Sequence, residues 1–298
     1  MDTLDQLRAF TATAQAGSFT GGAEMLGISN RLTSKYVAEL EARLGVRLFQ
    51  RTTRRVGLTP AGEELLARAP ALLDELDDVL SDLAEGSRGF TGTLRISAPV
   101  TFGEIWVAAM LGRFTEANPG LTIDLRLTDS FADLAREGID LAFRIGQSDM
   151  LSLKTRKLGT SRSLVVASPA YLDRHGTPAR PQDLANHACI VDTNRRTPRR
   201  WVFRQGGEEV AVSVEGRFSV NSASAAVELA TAGVGLANVP RFALCGAVEA
   251  GWLVPLFPGI TAEAGPVSAV YLEGRALPRK TRALIDFAAD DLKSADIL

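Results

Sequence analysis

The stretch SFTGGAEMLGISNRLTSKYVAELEARLGVRLFQRTTRRVGLTPAG, residues 18 to 62, decides how the N-terminal part of this chain is built. It reads as a short helix, a tight turn, a longer helix and a basic hairpin. A hydroxyl at Ser18 or Thr20 suits the start of the first helix, because its oxygen accepts a hydrogen bond from a first-turn N–H that has no partner inside the helix. Ala23, Met25 and Leu26 give that helix apolar body. Gly27 ends it, since the chain reverses through a left-handed backbone that glycine adopts without a Cβ clash, and Ser29 caps the helix that follows. Along the longer helix Thr33, Val37, Leu40 and Leu44 recur at intervals of four, three and four, marking one inward face.

The opposite face is polar in its first two turns, with Asn30, Arg31, Ser34 and Lys35. A helix laid across a supporting helix with such groups exposed has the form that enters a major groove. The candidate base- and backbone-contacting set on it is Ser29, Asn30, Arg31, Leu32, Thr33, Ser34 and Lys35. Chemistry assigns Arg31 to a guanine, Leu32 to a thymine methyl and Lys35 to a phosphate. At the hairpin tip Arg51, Thr52, Thr53, Arg54 and Arg55 place cations and hydroxyls where phosphate oxygens would lie. Residues 1–60 carry a net charge of +3 and the remainder −5, an asymmetry that the whole-chain value of −2 hides. The expected partner is double-stranded promoter or operator DNA; the plainer alternative is a solvated helix pair with ordinary surface arginines.

The run GSFTGGAEMLGIS followed by LTSKYVAELEARLGVRLFQRTTRRVGLTPAG resembles the LysR-type transcriptional regulators, and the resemblance extends over essentially the whole chain. Many members carry alanines where this chain has Gly21 and Gly22, and each helix-interior glycine costs about 1 kcal/mol relative to alanine. Many also carry Gln-Pro where this chain has Asn30 and Arg31, so base preference does not transfer.

After the hairpin, Thr59 and Pro60 form a helix-start signal. Leu65, Ala69, Leu72, Leu76, Val79 and Leu83 then step by four, three, four, three and four, a heptad seam. Acidic residues from Glu63 to Glu85 fill the other faces, and Gly86 and Gly89 close the element. A helix of about 26 residues reaches about 39 Å. One apolar stripe of that length calls for a second copy of the chain, although packing on its own C-terminal domain is the alternative. Pro70 invites a kink. In the resembled family the linker helices pair between subunits, which implies a homodimer or a dimer of dimers.

From residue 91 strands and helices alternate: LRISA (94–98), a helix over 103–116, LTIDLRL (121–127), a helix at FADLARE, and IDLAFRI (139–145). The rhythm continues through SLVVAS (163–168), CIVD (189–192), EVAVSVEGRFSV, an alanine-rich helix over 223–232, VGLANV (234–239), VSAVYL (267–272) and a helix from about Arg279. Such alternation implies parallel sheet covered by helices. The fold class expected is therefore α/β. It comprises a winged helix-turn-helix over 1–60, a linker helix and hinge over 61–90, and a two-lobed effector domain over 91–298. The resemblance implies the periplasmic-binding-protein type 2 fold for that domain, with lobe 1 at about 91–161 and 267–298, lobe 2 at about 162–266, and strands near 160 and 266 crossing between them.

Ligands of open α/β sheets gather at the carboxyl ends of strands, beside helix N-termini. Three places qualify: Pro99, Val100, Thr101 and Phe102; Arg144, Ile145 and Gly146; and Asn221 with Ser222. Asn194 in a nearby loop joins them. Hydroxyls, N–H groups and one guanidinium suit a small organic acid, and Phe102 suits an aromatic ring. Helix caps, an internal ion pair and plain loop residues are the structural alternatives at these positions.

Other classes find little support. Gly-x-Ser-x-Gly, Gly-x-x-x-x-Gly-Lys and His-Glu-x-x-His are all missing, so an enzyme is not expected. His175 and His187 lack ligands at metal-binding spacing, and neither metal nor cofactor is expected. Cys189 and Cys245 are too few and too far apart for a disulfide framework, while a redox-sensing pair and two ordinary thiols both remain compatible with the sequence. No apolar run reaches 18 residues and the chain starts MDTLDQL, which points to a cytoplasmic protein. The leading expectation is a DNA-binding regulator that answers to a small effector and contacts RNA polymerase. An enzyme or a solute-binding protein using the α/β portion alone is the alternative.

Overall fold

The computed structural model describes residues 2–51, 56–84, 89–130, 134, 137–146, 153–205, 208–272, 277–295 and 297–298. Three helices open the chain: α1 (Thr3–Ala16), α2 (Phe19–Leu26) and α3 (Asn30–Leu44). Each is bounded by local chemistry. Asp2, Ser18 and Ser29 accept hydrogen bonds from the first-turn N–H groups of Leu4, Gly21 and Leu32, and Gly17, Gly27 and Gly45 end the helices at φ of 66°, 65° and 69°. Ala9, Phe10, Val37, Leu40, Leu48 and Phe49 form the core between them. Phe49 stands against both Phe10 and Phe19, with ring centroids 5.3 and 5.6 Å apart.

The glycines at 21 and 22 have a packing role that the propensity argument omits. A Cβ at Gly22 would lie 2.7 Å from the Thr13 Cα and N, and one at Gly21 would lie 2.8 Å from the Ala16 Cβ. The backbones of α1 and α2 approach too closely for alanine, so these residues allow the contact.

β1 (Phe49–Arg51) and β2 (Val56–Leu58) pair antiparallel as the hairpin, with Phe49 opposite Leu58. α4 (Pro60–Ala84) follows directly, and the Thr59 hydroxyl oxygen accepts the Gly62 N–H at 3.1 Å. Pro70 lies inside this helix without ending it. The heptad seam needs correction at its start. Leu65 packs, partly buried, on the winged core of its own chain, and Ala69 is fully buried within the chain, so Ala69 is not free for a second subunit. Leu72 is 60% exposed, while the side chains of Val79 and Leu83 lie outside the described residues.

The rest of the chain forms a mixed sheet with helices on it. β3 (Thr91–Ala98) leads into a continuous helical segment: α5 (Val100–Phe102), a π-helical turn (Gly103–Val107) and α6 (Ala108–Glu116). This helix starts three residues before the position read from sequence. β4 (Gly120–Leu127) and β5 (Leu141–Ile145) pair parallel to β3. The helix expected at FADLARE lies outside the described residues, apart from Leu134 and Glu137.

β6 (Leu153–Ala167) leaves the first lobe and enters the second, which continues with α7 (Pro169–His175), β7 (Ala188–Asp192), β8 (Arg200–Gln205), β9 (Glu208–Ser213), β10 (Glu215–Val220), α8 (Ala223–Thr231), β11 (Leu236–Pro240) and β12 (Val254–Pro255). β13 (Thr261–Leu272) returns antiparallel to β6, with Thr160 opposite Pro266, and α9 (Arg279–Ala295) closes the chain on the first lobe. The main sheet path is β10-β7-β11-β6-β13-β5-β3-β4. Along this path β10, β7 and β11 run parallel, as do β5, β3 and β4, and the two crossing strands run against their neighbours; off the path β8 pairs antiparallel with β9 and β13, and β12 with β6. One apolar core spans both lobes, from Leu94, Trp106 and Phe143 to Val227, Val239 and Leu253. Val165, Tyr171, Cys189, Trp201 and Phe203 fill the outer layer of lobe 2. Among the described residues, no helix is long and apolar enough to cross a membrane.

Candidate functional site

The winged domain turns its candidate contacts outward through the helix period. Thr33, Val37 and Leu40 are buried against α1, which leaves Asn30, Arg31 and Lys35 exposed on the first two turns of α3 and Leu32 and Ser34 partly so. Asn30 is oriented by the Thr20 hydroxyl, which accepts its Nδ2–H at 3.0 Å, and by Ser34, whose hydroxyl donates to its Oδ1 at 3.3 Å. Lys35 stands 3.9 Å from Glu39, one turn further along. Ser29 is spent as the cap. Thr33 is a correction: its side chain is fully buried and its hydroxyl donates to the Ser29 carbonyl at 3.2 Å, so it cannot reach a base. Thr52, Thr53, Arg54, Arg55 and the side chain of Arg51 lie outside the described residues.

The wing is fastened to α3 by a residue that the sequence reading passed over. Glu41, 6% exposed, takes the Leu48 and Phe49 N–H groups on one oxygen at 2.8 and 3.2 Å, and Arg47 on the other at 2.8 Å. Burial pushes its carboxyl up, but the two backbone N–H groups and Arg47 outweigh that and hold it below the ordinary glutamate value. An acid placed before the basic hairpin was the available signal.

In the C-terminal domain, the ends of β3, β4 and β7 and the heads of α5 and α8 meet where the two lobes face each other. Thr101 is buried, and its hydroxyl oxygen lies 3.4 Å from both the N–H and the hydroxyl of Ser224. Ser222 caps α8 by accepting the Ala225 N–H at 3.3 Å. Asn194 donates to the Asn221 carbonyl at 2.7 Å, tying the loop after β7 to the entry of α8. Pro99 and Val100 are partly buried at the head of α5, and Ile145 packs on the apolar core. Gly146 bends away at φ 93° with its N–H on the Pro266 carbonyl.

Three expectations change here. Phe102 is fully buried, tilted on Trp106 and edge-on to Phe242 at centroid distances of 5.1 Å each, and presents no face to a ligand. Arg144, 8% exposed, is committed to the Ser97 hydroxyl at 2.9 Å and the Phe143 carbonyl at 2.8 Å. Burial lowers its pKa, against the pull of Asp129 and Glu137. The helix-head N–H of Val100, assigned to an effector carboxylate, already points at Asp129 Oδ1 at 3.2 Å.

Asp129, Asp192, Arg195 and Asn238 complete the polar lining. Arg195 reaches the Ser163 hydroxyl at 3.1 Å and Asn238 through its carbonyl at 2.7 Å and Oδ1 at 3.2 Å. Asp192 accepts the Asn194 N–H at 3.0 Å, and its carboxyl is pushed up by burial and by the Asp129 charge, with Arg195 and the Asn194 N–H opposing. Asp129 directly follows the strand end at Leu127 and Thr128, the same kind of place that drew attention to Thr101. Away from this cleft, His175 stacks on Tyr171 at 4.5 Å and His187 meets the Tyr171 hydroxyl at 3.3 Å. Cys189 is buried, its thiol pushed up to about 12 by desolvation, and Cys245 is exposed.

A winged helix-turn-helix followed by two α/β lobes that enclose a polar cleft defines a transcriptional regulator with an effector-binding domain. Residues 4–63 match the family model for the bacterial regulatory helix-turn-helix protein of the lysR family, and residues 87–293 match the LysR substrate binding domain. The chain belongs to the LysR family of transcriptional regulators. It is similar to the HTH-type transcriptional regulator PtxR of Pseudomonas aeruginosa, 36% identical over 289 residues that span 97% of this chain and 93% of that one. The HTH-type transcriptional activator AaeR of Escherichia coli is 31% identical over 290 residues, 97% of this chain and 94% of that one. Among solved structures, that of CrgA, a LysR-type transcriptional regulator from Neisseria meningitidis, matches with a TM-score of 0.62 at 29% identity, covering 96% of this chain and 98% of that chain.

Proposed function

We propose that the protein acts in the cytoplasm as a homodimer or dimer of dimers that binds an interrupted palindrome and alters its grip when a small molecule enters the inter-lobe cleft. The observation that carries this reading is the outer face of α3, where Asn30, Arg31 and Lys35 are exposed while Thr33, Val37 and Leu40 are buried beneath them. An exposed polar helix face fixed by a packed inner face is what base-edge readout requires. Arg51, Thr52, Thr53, Arg54 and Arg55 add phosphate contacts on the flank.

Dimerisation is assigned to α4 beyond the winged core, through Leu72, Leu76, Val79 and Leu83. An exposed leucine on a helix this long is best covered by its twin. Residues 1–60, 61–90 and 91–298 are the working units, with lobe 1 at about 91–161 and 267–298 and lobe 2 at about 162–266. An effector that binds one lobe arrangement more tightly shifts the dimer geometry, the DNA bend and the contact with RNA polymerase. Gel-shift assays of the full chain on fragments upstream of its own gene test this, with the expected outcome a discrete complex that dissolves as salt rises. Equal binding to any duplex, or none at low salt, refutes it.

A further inference from the structure

We propose that a depression on lobe 2, separate from the inter-lobe cleft, is a second small-molecule site, which takes its ligand by an oxyanion group, phosphate or carboxylate, held by Arg199 and Arg200. The sequence supplies the first observation: TNRRTPRRWVFRQGG, residues 193–207, carries five arginines and no acid, although residues 61–298 as a whole carry a net charge of −5. The second is a depression of about 680 Å³ beside β10, the end strand of the main sheet, lined among others by Arg199, Arg200, Ser213, Glu215 and Ser219. Small-molecule sites typically occupy about 300–1,000 Å³. None of the residues placed in the inter-lobe cleft lines this one.

The arginines of this run have different employments. Arg195 is held by Ser163 and Asn238, and Arg204 pairs with Glu209 at 2.7 Å. Arg199 and Arg200 are exposed, and neither guanidinium meets a hydrogen-bond or ion-pair partner among the described residues. The turn that carries them is nonetheless fixed. The Thr197 hydroxyl donates to the Arg200 carbonyl at 3.2 Å, the Arg200 N–H to the Thr197 carbonyl at 3.1 Å, and the indole N–H of buried Trp201 to the Pro198 carbonyl at 3.2 Å. The Val214 N–H holds the Arg199 carbonyl at 2.9 Å. β10, which contributes Glu215 and Ser219, shifts register against β7 between Glu215 and Phe218, and its Gly216 lies so close to β7 that a Cβ would stand 1.6 Å from the Cys189 oxygen. An irregularity of this kind at a sheet edge re-aims the side chains around it.

The lining chemistry selects the ligand. Two guanidiniums and the Glu215 carboxylate leave a formal charge of +1 on the depression. A guanidinium presents parallel N–H donors in a plane, which match two oxygens of a carboxylate or phosphate. The Ser213 and Ser219 hydroxyls have no partner among the described residues and can donate to further oxygens, whereas those of Thr193 and Thr197 are spent on the Val220 and Arg200 carbonyls. Because the turn is already ordered by its own bonds, little of the binding energy goes into fixing it. A diffuse basic surface attracts any anion through all its charges alike, while a shaped site depends on particular side chains, and the experiment reads that difference.

The test is titration calorimetry of the full-length protein with ribose 5-phosphate, gluconate and ribose at about 150 mM salt, where diffuse surface attraction is screened. Ribose 5-phosphate or gluconate should bind at one site per chain and ribose should not; binding of the first alone assigns the group as phosphate, of the second alone as carboxylate. Arg199→Gln and Arg200→Gln should each weaken that binding by about tenfold, the loss of a charge-assisted bond, and Ser219→Ala by about threefold. Arg217→Gln, also exposed on β10 but not part of the lining, should leave it unchanged. Thermal melts check that the variants fold. Binding of neither anion, equal binding of ribose, or a loss with Arg217→Gln as large as with Arg199→Gln overturns the proposal. Binding that Thr101→Val weakens and the Arg199 and Arg200 variants do not places the ligand in the inter-lobe cleft, which removes the second site and leaves the effector reading standing.

Discussion

Thr101 and Ser224 touch across the two lobes: the Ser224 N–H and hydroxyl both lie 3.4 Å from the Thr101 oxygen, the only polar bridge between α5 and α8 among the described residues. Both contacts are long, and a neutral hydrogen bond contributes only about 0.5–1.5 kcal/mol at ordinary length. Thr101→Val, which removes the shared acceptor, should therefore lower unfolding stability by about 1 kcal/mol, and Ser224→Ala by less, since the backbone N–H stays bonded. Urea unfolding measures both. A larger loss from Ser224→Ala contradicts the assignment of Thr101 as acceptor.

Gly22→Ala should destabilise the winged domain although alanine is the better helix former. Propensity favours alanine by about 1 kcal/mol. The added Cβ would stand 2.7 Å from the Thr13 backbone, and overpacking of this kind costs about 1–3 kcal/mol. A net stabilisation in denaturant melts would show that α1 and α2 separate freely.

Glu41 should make the wing sensitive to acid. Its carboxyl sits below the ordinary value in the folded state, so its contribution is present above the unfolded pKa and is lost as pH falls through the folded one. Glu41→Gln leaves both buried backbone bonds on a weaker, neutral acceptor and Arg47 without its partner, a loss of about 1–3 kcal/mol at neutral pH that shrinks in acid. Chemical unfolding across the acid range distinguishes this from a pH-independent loss.

His187 gives a second titration. Desolvation, then His175, lowers its pKa, so the unfolded chain binds the proton more readily and stability should fall as pH drops through about 6.5. His175→Gln, which removes the second cause, should flatten this part of the stability profile, as read by melts between neutral and mildly acidic pH.

Features governed by neighbouring residues were legible in the sequence. The spacing on α3 gave its buried face at Thr33, Val37 and Leu40 but not at Leu44, which is 48% exposed at the helix end; Gly27 and Ser29 gave the turn, while the crossing strands near 160 and 266 came from the family resemblance alone. α1 went unread although Asp2 and Gly17 bracket it with the same capping chemistry. Choices of partner were not legible. The heptad stripe marks Leu65 and Ala69 as apolar without saying that Leu65 packs on the winged core and Ala69 is buried within its own chain. Phe102 points inward because Phe242 waits there, 140 positions along the chain. Asp129 reaches Val100 across 29 positions, and no local rule announces such a contact.

The central claim is that the outer face of α3 reads duplex DNA. Fluorescence anisotropy of the full-length protein on its own upstream region, with every base pair of the half-site varied in turn, tests it most directly for wild type, Arg31→Ala and Lys35→Ala. Arg31→Ala should lose discrimination at one base pair by about 1–3 kcal/mol, while Lys35→Ala should weaken all sequences alike and flatten the salt slope by about one unit. Variants that bind with wild-type affinity and an unchanged base profile would contradict the account.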